Sequence, residues 1–299
     1  MSNLDSVLNF VLLKFGVDKS QWRYVSGSTF GSTWSSVLTV TALYLATIFS
    51  IKFALKDRKP FVLKKVTAFH NLFLSIISAL LLLLFAELLI PPLREHGLFW
   101  SICSADNWTT KLELLYYFNY LIKWYEFVDT ILLVLKKKPT PFLHVYHHSM
   151  TMILCFTQLE GSTTVSWALI TINLFVHVIM YYYYYLTTLG IRVFWKKLVT
   201  VMQIVQFVID LGFVYFCIYT YYAHEVYTFL PSIGKCSGSL KAAYFGCAII
   251  SSYLLLFVKF FFDTYSKNHS PSKPSTSTSN TKIGSKTTTT IPSSRPLKI

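Results

Sequence analysis

VTAFHNLFLSIISALLLLLFAELLI, residues 66–90, contains one charged side chain, that of Glu87. A helix rises about 1.5 Å per residue, so this stretch would be roughly 37 Å long and could cross the hydrocarbon core of a bilayer, about 30 Å thick. Backbone polar groups in that core must find their hydrogen bonds within the protein, which favours a helix. The stretch therefore predicts a transmembrane helix.

Six other stretches have a similar length and apolar character. They are residues 33–55, 112–135, 142–160, 165–187, 199–222 and 240–262. Hydrophobic residues make up 54% of the 299-residue chain and charged residues 13%, which is too apolar for an ordinary soluble domain. The sequence predicts an all-α polytopic membrane protein with seven transmembrane helices, in a domain covering residues 33–265.

The net charge of +14 does not indicate nucleic-acid binding, because the basic residues follow the alternation of the predicted loops. Most of them lie in the C-terminal tail and in alternate connections, which hold Lys56, Arg58, Lys59, Lys64, Lys65, Lys136, Lys137, Lys138, Arg192, Lys196 and Lys197. The positive-inside rule makes this side cytosolic. Residues 1–32 are then a lumenal segment, and residues 266–299, rich in Ser, Thr and Lys, a disordered cytosolic tail.

Two cysteines and one asparagine are of interest on the opposite side. Cys103 and Cys236 are each the single cysteine of a predicted lumenal loop, where disulfides persist, so we expect a disulfide between them. Asn107, Trp108 and Thr109 form a glycosylation acceptor sequence on the same side.

Three histidines lie just inside the fourth predicted helix. His144, His147 and His148 occupy positions i, i+3 and i+4, which share one face of a helix. Titratable side chains at membrane depth are costly and usually mark a functional site. The cluster is therefore the first candidate for chemistry.

Helical rise places other polar side chains at a similar depth, within about 15 Å of the cytosolic surface. They are Lys123, Glu126 and Asp129 on the third helix, His177 on the fifth, and Gln203 and Gln206 on the sixth. Each also has a purely structural explanation, since ion pairs can neutralise themselves and glutamines can tie helices together. Tyr181 to Tyr185 could likewise be interface aromatics. The common layer favours a functional interpretation.

These residues form motifs, and the chain resembles the ELO fatty acid elongases, the 3-ketoacyl-CoA synthases of the endoplasmic reticulum. The matching elements are KxxExxDT at 123–130, HxxHH at 144–148, HxxMYxYY at 177–184 and TxxQxxQF at 200–207. His70 and Asn71 resemble a weaker HN element. Residues 136–158 and 190–196 look most like the yeast-type members that act on saturated or monounsaturated chains.

The resemblance implies a decarboxylative Claisen condensation of a long-chain acyl-CoA with malonyl-CoA, with no cofactor and no metal. It makes His147 the nucleophile that carries the acyl group, with His144 and His148 orienting it or handling protons. His177 would stabilise the developing enolate or oxyanion. Lys123, Glu126 and Asp129 would support the histidine box.

The resemblance also implies binding groups, a fold and partners. Thioester or CoA contacts are expected from Gln203, Gln206, Tyr181, Tyr184, Lys136, Lys137, Lys138, Arg192, Lys196 and Lys197. Six helices would enclose an acyl tunnel, with the first helix outside. We expect its far end to be closed by residues such as Phe213, Phe216, Tyr219, Tyr244 or Phe245. The partners are the ketoacyl reductase, dehydratase and enoyl reductase of the elongation cycle in the reticulum membrane, with a homodimer left open.

Two other classes of protein explain part of the pattern. A membrane di-iron desaturase or hydroxylase also uses HxxHH boxes, but it needs several of them, and only one is present among the eight histidines. A seven-helix receptor or transporter explains the helices and buried charges but not three clustered histidines.

Overall fold

The computed structural model describes residues 21–265, together with Ser6, Asn9 and Asp18. The predicted disordered tail lies outside these residues, as does most of the segment before residue 21. The described chain is helical and contains no strand. Its helices are α1 (Trp34–Ala54), α2 (Lys64–Cys103), α3 (Thr110–Tyr125), α4 (Phe127–Leu135), α5 (Phe142–Glu160), α6 (Ser166–Leu189), α7 (Lys196–Glu225) and α8 (Leu240–Tyr265), with a 3₁₀ turn at Ala105–Asn107.

Helices α3 and α4 meet at Glu126, which keeps a right-handed helical conformation (φ −60°, ψ −16°), so together they form one bent rod. Five helices, α1, α2, α6, α7 and α8, are long and apolar enough to cross a membrane. The other two rods, α3–α4 and α5, hold the charged and histidine motifs, which lower their hydropathy. The protein is thus a multi-pass membrane protein, and two of the four sequence motifs, KxxExxDT and HxxHH, lie on its less apolar rods.

The helix boundaries agree with the predicted spans within a few residues, except at the end of α2. That helix continues through Pro91 and Pro92 to Cys103, with a break at Gly97, whose φ of +79° suits a residue without a Cβ. A double proline usually disrupts a helix, and the prediction ended at residue 90. Past the break, Ser101, Ile102 and Cys103 are buried, so tertiary packing favours a continued helical course.

Six rods pack in a closed circuit. In order, α2 contacts α3, α3 contacts α5, α5 contacts α8, α8 contacts α7, α7 contacts α6, and α6 returns to α2 with the most extensive interface. Helix α1 lies outside and packs on α4 and α5. There, Tyr44 stacks on Phe127 with ring centroids 4.1 Å apart, and its hydroxyl is 2.7 Å from Thr130 Oγ1. The position of α1 outside the circuit agrees with the expectation for the first helix.

The two ends of the bundle differ in their loops. At the end we call the basic face, the connections at 55–63, 136–141 and 190–195 meet, and Lys137 Nζ donates to the carbonyl of Lys56 (3.0 Å). At the opposite end, the disulfide face, Cys103 is bonded to Cys236. Residues 22–33 lie on this face, where Arg23 pairs with Glu113 (3.0 Å).

The glycosylation expectation at Asn107 does not fit the structure. Asn107 is 4% exposed, and its amide nitrogen donates to the carbonyl of Ser101. The residue belongs to the 3₁₀ turn between α2 and α3, which packs into the bundle. A glycosylation acceptor sequence does not show whether the asparagine is accessible to the modifying enzyme. Here the Asn107 side chain is buried and already hydrogen-bonded.

Candidate active site

Lys123 and Glu126 form a buried ion pair in the middle of the bundle. The residues are 2% and 1% exposed, and Lys123 Nζ lies 2.9 Å from Glu126 Oε1. Lys123 also donates to Asn173 Oδ1 on α6 at 3.0 Å. Because charges buried away from water are tolerated when they are paired and hydrogen-bonded, this arrangement fixes the α3–α4 junction against α6.

Glu126 is also the point where histidines from two helices converge. His177 Nδ1 on α6 lies 3.3 Å from Glu126 Oε1 without forming a hydrogen bond, and His148 Nδ1 on α5 lies 4.0 Å from Glu126 Oε2. A carboxylate favours the tautomer that turns N–H toward it, so Nδ1 is the favoured proton carrier of His177. The Nε2 atom of neutral His177 is then a proton acceptor.

Asp129 forms a second hub one turn further along. It accepts a hydrogen bond from the hydroxyl of Tyr181 at Oδ2 and lies within 2.7 Å of His70 Nε2 at Oδ1. His148 Nε2 is 3.9 Å from Oδ2. The other nitrogen of His70 is 3.2 Å from the hydroxyl of Tyr125. His70, which the sequence presented only in a weak HN element, is thus a direct partner of the KxxExxDT motif.

The HxxHH box is divided by the structure. Among the described residues, His147 lines the central cavity, whereas His144, His148 and His177 do not. The ring of His144 packs on that of His148, with centroids 4.6 Å apart. Successive helical residues differ by about 100° in direction, so His147 and His148 must face different neighbours. The prediction that the three histidines share one face was therefore too coarse, because only His147 of the three lines the cavity.

His147 is held by α8. Its ring centroid is 4.9 Å from that of Tyr253, and the Tyr253 hydroxyl donates to the His147 carbonyl at 3.2 Å. The same hydroxyl is 3.0 Å from Thr151 Oγ1, one turn along α5. Phe257, one turn further along α8, also packs near the ring, with ring centroids 5.9 Å apart. These contacts fix the ring direction without engaging its nitrogens.

A cavity of about 110 Å³ extends from His147 toward the disulfide face. Its wall comes from α3, α5, α6, α7 and α8 and from Trp108. The polar groups near His147 are those of Lys123, Thr151, Asn173, Gln206 and Asp210, and the far part includes Trp108, Tyr116, Leu159, Val165 and Cys217. The site can therefore hold a polar head near the histidine and an apolar chain beyond it.

The aromatic residues expected to close the far end do not line the cavity. Phe216, Tyr219 and Tyr244 are 37%, 44% and 45% exposed, so they face outward from the bundle, and Phe213 and Phe245 are also absent from the wall. The depth estimated from residue position placed these residues at the correct end of α7 and α8. It did not give the rotation of each helix about its axis, which decides which side chains face the cavity.

The expected substrate-binding residues occupy different places. Gln206 lines the cavity, whereas Gln203 donates to Met180 Sδ at 3.2 Å. Tyr181 is buried against Asp129, and Tyr184 is 39% exposed. Six basic residues lie at the basic face: Lys136, Lys137, Lys138, Arg192, Lys196 and Lys197. Of these, Lys136 bonds to Thr67 Oγ1 (3.1 Å), and Lys197 lies over the ring of Phe261.

Asn173 and Asp210 were missed by sequence reasoning. Both are isolated polar residues in apolar helices, without a clustered motif to mark them. The available signal was the cost of a lone carboxylate or amide at membrane depth, which is itself a reason to suspect a site.

Comparison with known proteins identifies the family. Residues 29–273 match the model of the ELO: GNS1/SUR4 family. The chain is 46% identical over 252 residues to "Putative fatty acid elongase 1" of Schizosaccharomyces pombe, covering 84% of this chain and 75% of the relative. It is also 46% identical over 254 residues to "Putative fatty acid elongase 2" of the same organism (85% and 70%). "Fatty acid elongase A" of Dictyostelium discoideum is 37% identical over 238 residues (77% and 83%). The chain belongs to the ELO family and acts in fatty acid elongation.

Proposed function

We propose that this protein is the condensing enzyme of the elongation cycle, a very-long-chain 3-oxoacyl-CoA synthase. It joins a long-chain acyl-CoA to malonyl-CoA, giving a 3-ketoacyl-CoA two carbons longer, CO₂ and free CoA. One observation carries the proposal: a single histidine of the HxxHH box, His147, opens on a cavity that is otherwise mainly apolar beyond its polar entrance. A thioester and its chain need that combination.

The first half-reaction uses His147 as nucleophile. A neutral imidazole nitrogen attacks the thioester carbonyl, so that a C–N bond forms, the C–S bond breaks and CoA leaves as a thiolate. The thiolate takes the proton that the acylated ring loses. Tyr253 and Phe257 of α8 pack against the ring, which supports attack from one fixed direction.

The second half-reaction uses malonyl-CoA. Its C–CO₂ bond breaks, and the electron pair left behind forms a thioester enolate that attacks the acyl carbonyl. The C–N bond to His147 then breaks, and the ring recovers a proton from the medium. These bond changes require neither a redox cofactor nor a metal.

The remaining motif residues act by holding this geometry. Lys123 and Glu126 fix the α3–α4 junction, and Asp129 joins α2, α4 and α6 through His70 and Tyr181. His177 and His148 face Glu126 rather than the cavity, so we assign them positioning roles. His144 supports His148 by ring packing.

The proposal includes an orientation in the endoplasmic reticulum. The basic face would be cytosolic, where its lysines and arginines meet the phosphates of CoA, and the disulfide face lumenal.

Gln206 would contact the thioester, and the cavity would be the acyl site. The product would pass to a ketoacyl reductase, then to the dehydratase and the enoyl reductase of the cycle. We expect saturated or monounsaturated chains as substrates.

Turnover of labelled malonyl-CoA by purified protein tests the proposal. His147→Ala should lower formation of 3-ketoacyl-CoA at least about a thousandfold, because the covalent step is lost. His96→Ala, at the disulfide face beside Trp100, is the matched histidine control and should keep wild-type turnover. Wild-type protein without product, or His147→Ala with a tenth of wild-type turnover, would refute it.

A further inference from the structure

Asp210 is a buried carboxyl group without a charged partner among the described residues. It is 3% exposed, and the amide of Gln206 donates to Oδ2 at 3.2 Å. The other oxygen, Oδ1, has no hydrogen-bond partner. Asp210 lines the same cavity as His147. A buried, unpartnered polar atom on the wall of a cavity calls for a partner, which a bound ligand or an ordered water supplies.

The position of Asp210 favours the protonated form. It lies midway along α7, the helix Lys196–Glu225, at a depth where a bare carboxylate is most costly. The nearest cation on the cavity wall, Lys123, is already engaged by Glu126 and Asn173. A carboxyl group in apolar surroundings that must remain neutral can act as a hydrogen-bond donor.

Packing contacts place Asp210 near the reacting carbonyl. Phe207 on α7 packs on Tyr253 with centroids 5.6 Å apart, and Tyr253 packs on His147. Asp210 follows Phe207 by three residues, so it lies about 4.5 Å deeper than this layer. An imidazole and the acyl carbonyl bonded to it span about that distance.

The motif histidine expected to stabilise the oxyanion does not present a donor there. His177 turns Nδ1 toward Glu126, which leaves Nε2 of the neutral ring as an acceptor, and it is not on the cavity wall. We propose that Asp210 is a neutral carboxylic acid that donates through Oδ1 to the carbonyl oxygen of the acyl group on His147. This role rests on the proposed function, because it requires the acyl-histidine.

Both half-reactions create a negative oxygen at this carbonyl. In the first it forms when His147 attacks the thioester, and in the second when the enolate attacks the acyl group. Asp210 stabilises each without giving up its proton, so no further co-reactant is needed. Loss of one such donor typically lowers a rate by about 100-fold.

Two variants of Asp210 test whether the residue acts as a neutral hydrogen-bond donor rather than through a negative charge. Asp210→Asn keeps size and a neutral donor, and it should keep at least about a tenth of wild-type turnover. Asp210→Leu removes the donor, and it should lower both CoA release from acyl-CoA alone and product formation by about 100-fold. Lys123 and Asn173 also line the cavity and are alternative donors to the acyl carbonyl oxygen. If one of them is the donor, Asp210→Leu should retain the wild-type rates.

Infrared difference spectroscopy on acyl-CoA binding gives a readout independent of turnover. Wild-type protein should show a carboxylic-acid C=O band that shifts on binding and is absent in Asp210→Asn. No such band, inactive Asp210→Asn, or fully active Asp210→Leu would each overturn the role of Asp210 while leaving the proposed function in place. Wild-type protein that releases no CoA from acyl-CoA would overturn both.

Discussion

The half of the bundle near the basic face and the half near the disulfide face are held together by different forces. In the first, buried charges and hydrogen bonds centred on Glu126 and Asp129 connect α2, α3–α4, α5 and α6. In the second, a disulfide and aromatic packing connect the helices, as with Trp108 on Tyr116 (4.8 Å) and Phe85 on Tyr116 (5.7 Å). Under the proposed function, the polar half near the basic face holds the reacting groups, and the disulfide half encloses the acyl chain.

The largest expected effect comes from breaking the polar half. Glu126→Ala leaves Lys123 buried without its counter-ion, which should lower the free energy of unfolding by about 3–5 kcal/mol and abolish turnover. The check is thermal unfolding in detergent together with an activity assay.

The double variant Lys123→Met/Glu126→Leu is its matched control. Replacing both charges by apolar side chains of similar volume should restore most of the stability, since no bare charge remains, but not the activity. If Glu126→Ala unfolds at the wild-type temperature, the ion pair does not organise this half.

A smaller effect is expected from opening the disulfide half. Cys103→Ser removes the bond to Cys236 and should lower the free energy of unfolding by about 2–4 kcal/mol, because the unfolded chain gains freedom. Turnover below the unfolding temperature should remain within about threefold of wild type, since the proposed reaction takes place in the other half. Cys236→Ser should behave in the same way, and a variant that unfolds normally but has lost turnover would contradict the division of roles.

The smallest effect concerns product length. Trp108 lines the far part of the cavity, so Trp108→Leu should lengthen the products by one or two elongation steps with little change in rate on the shortest substrate. Phe216→Leu is the matched control, because Phe216 lies at a similar end of the bundle but is 37% exposed and faces outward. Equal shifts in both variants, measured by fatty acid profiling, would show that the cavity does not set chain length.

The sequence predicted the helices and the layer of polar side chains but not the rotation of each helix. The lengths of the apolar stretches predicted where each helix lies in the chain, and the motifs identified Lys123, Glu126 and the histidines as candidates. Which histidine faces the cavity depends on how α5 is turned against α8, a tertiary property that spacing along one helix cannot supply.

The same limitation explains the residues that were missed or misplaced. Asn173 and Asp210 contribute to the site only because α6 and α7 turn them inward, and Tyr219 and Tyr244 fail to line it because they are turned outward. Helix α2 continues past the predicted span, through Pro91 and Pro92, and its residues beyond Gly97 pack into the bundle. Local sequence patterns were sufficient to predict the helices. Which side chains line the cavity depends on contacts between helices.

The most direct test of the account is to find the acyl group on the protein. Wild-type enzyme incubated with acyl-CoA alone should release CoA and retain one acyl group, which proteolysis and mass spectrometry should locate on His147. Adding malonyl-CoA should remove this adduct as 3-ketoacyl-CoA appears. An adduct on His144, His148 or His177, or one that persists after malonyl-CoA is added, would contradict the assignment of His147 as the nucleophile.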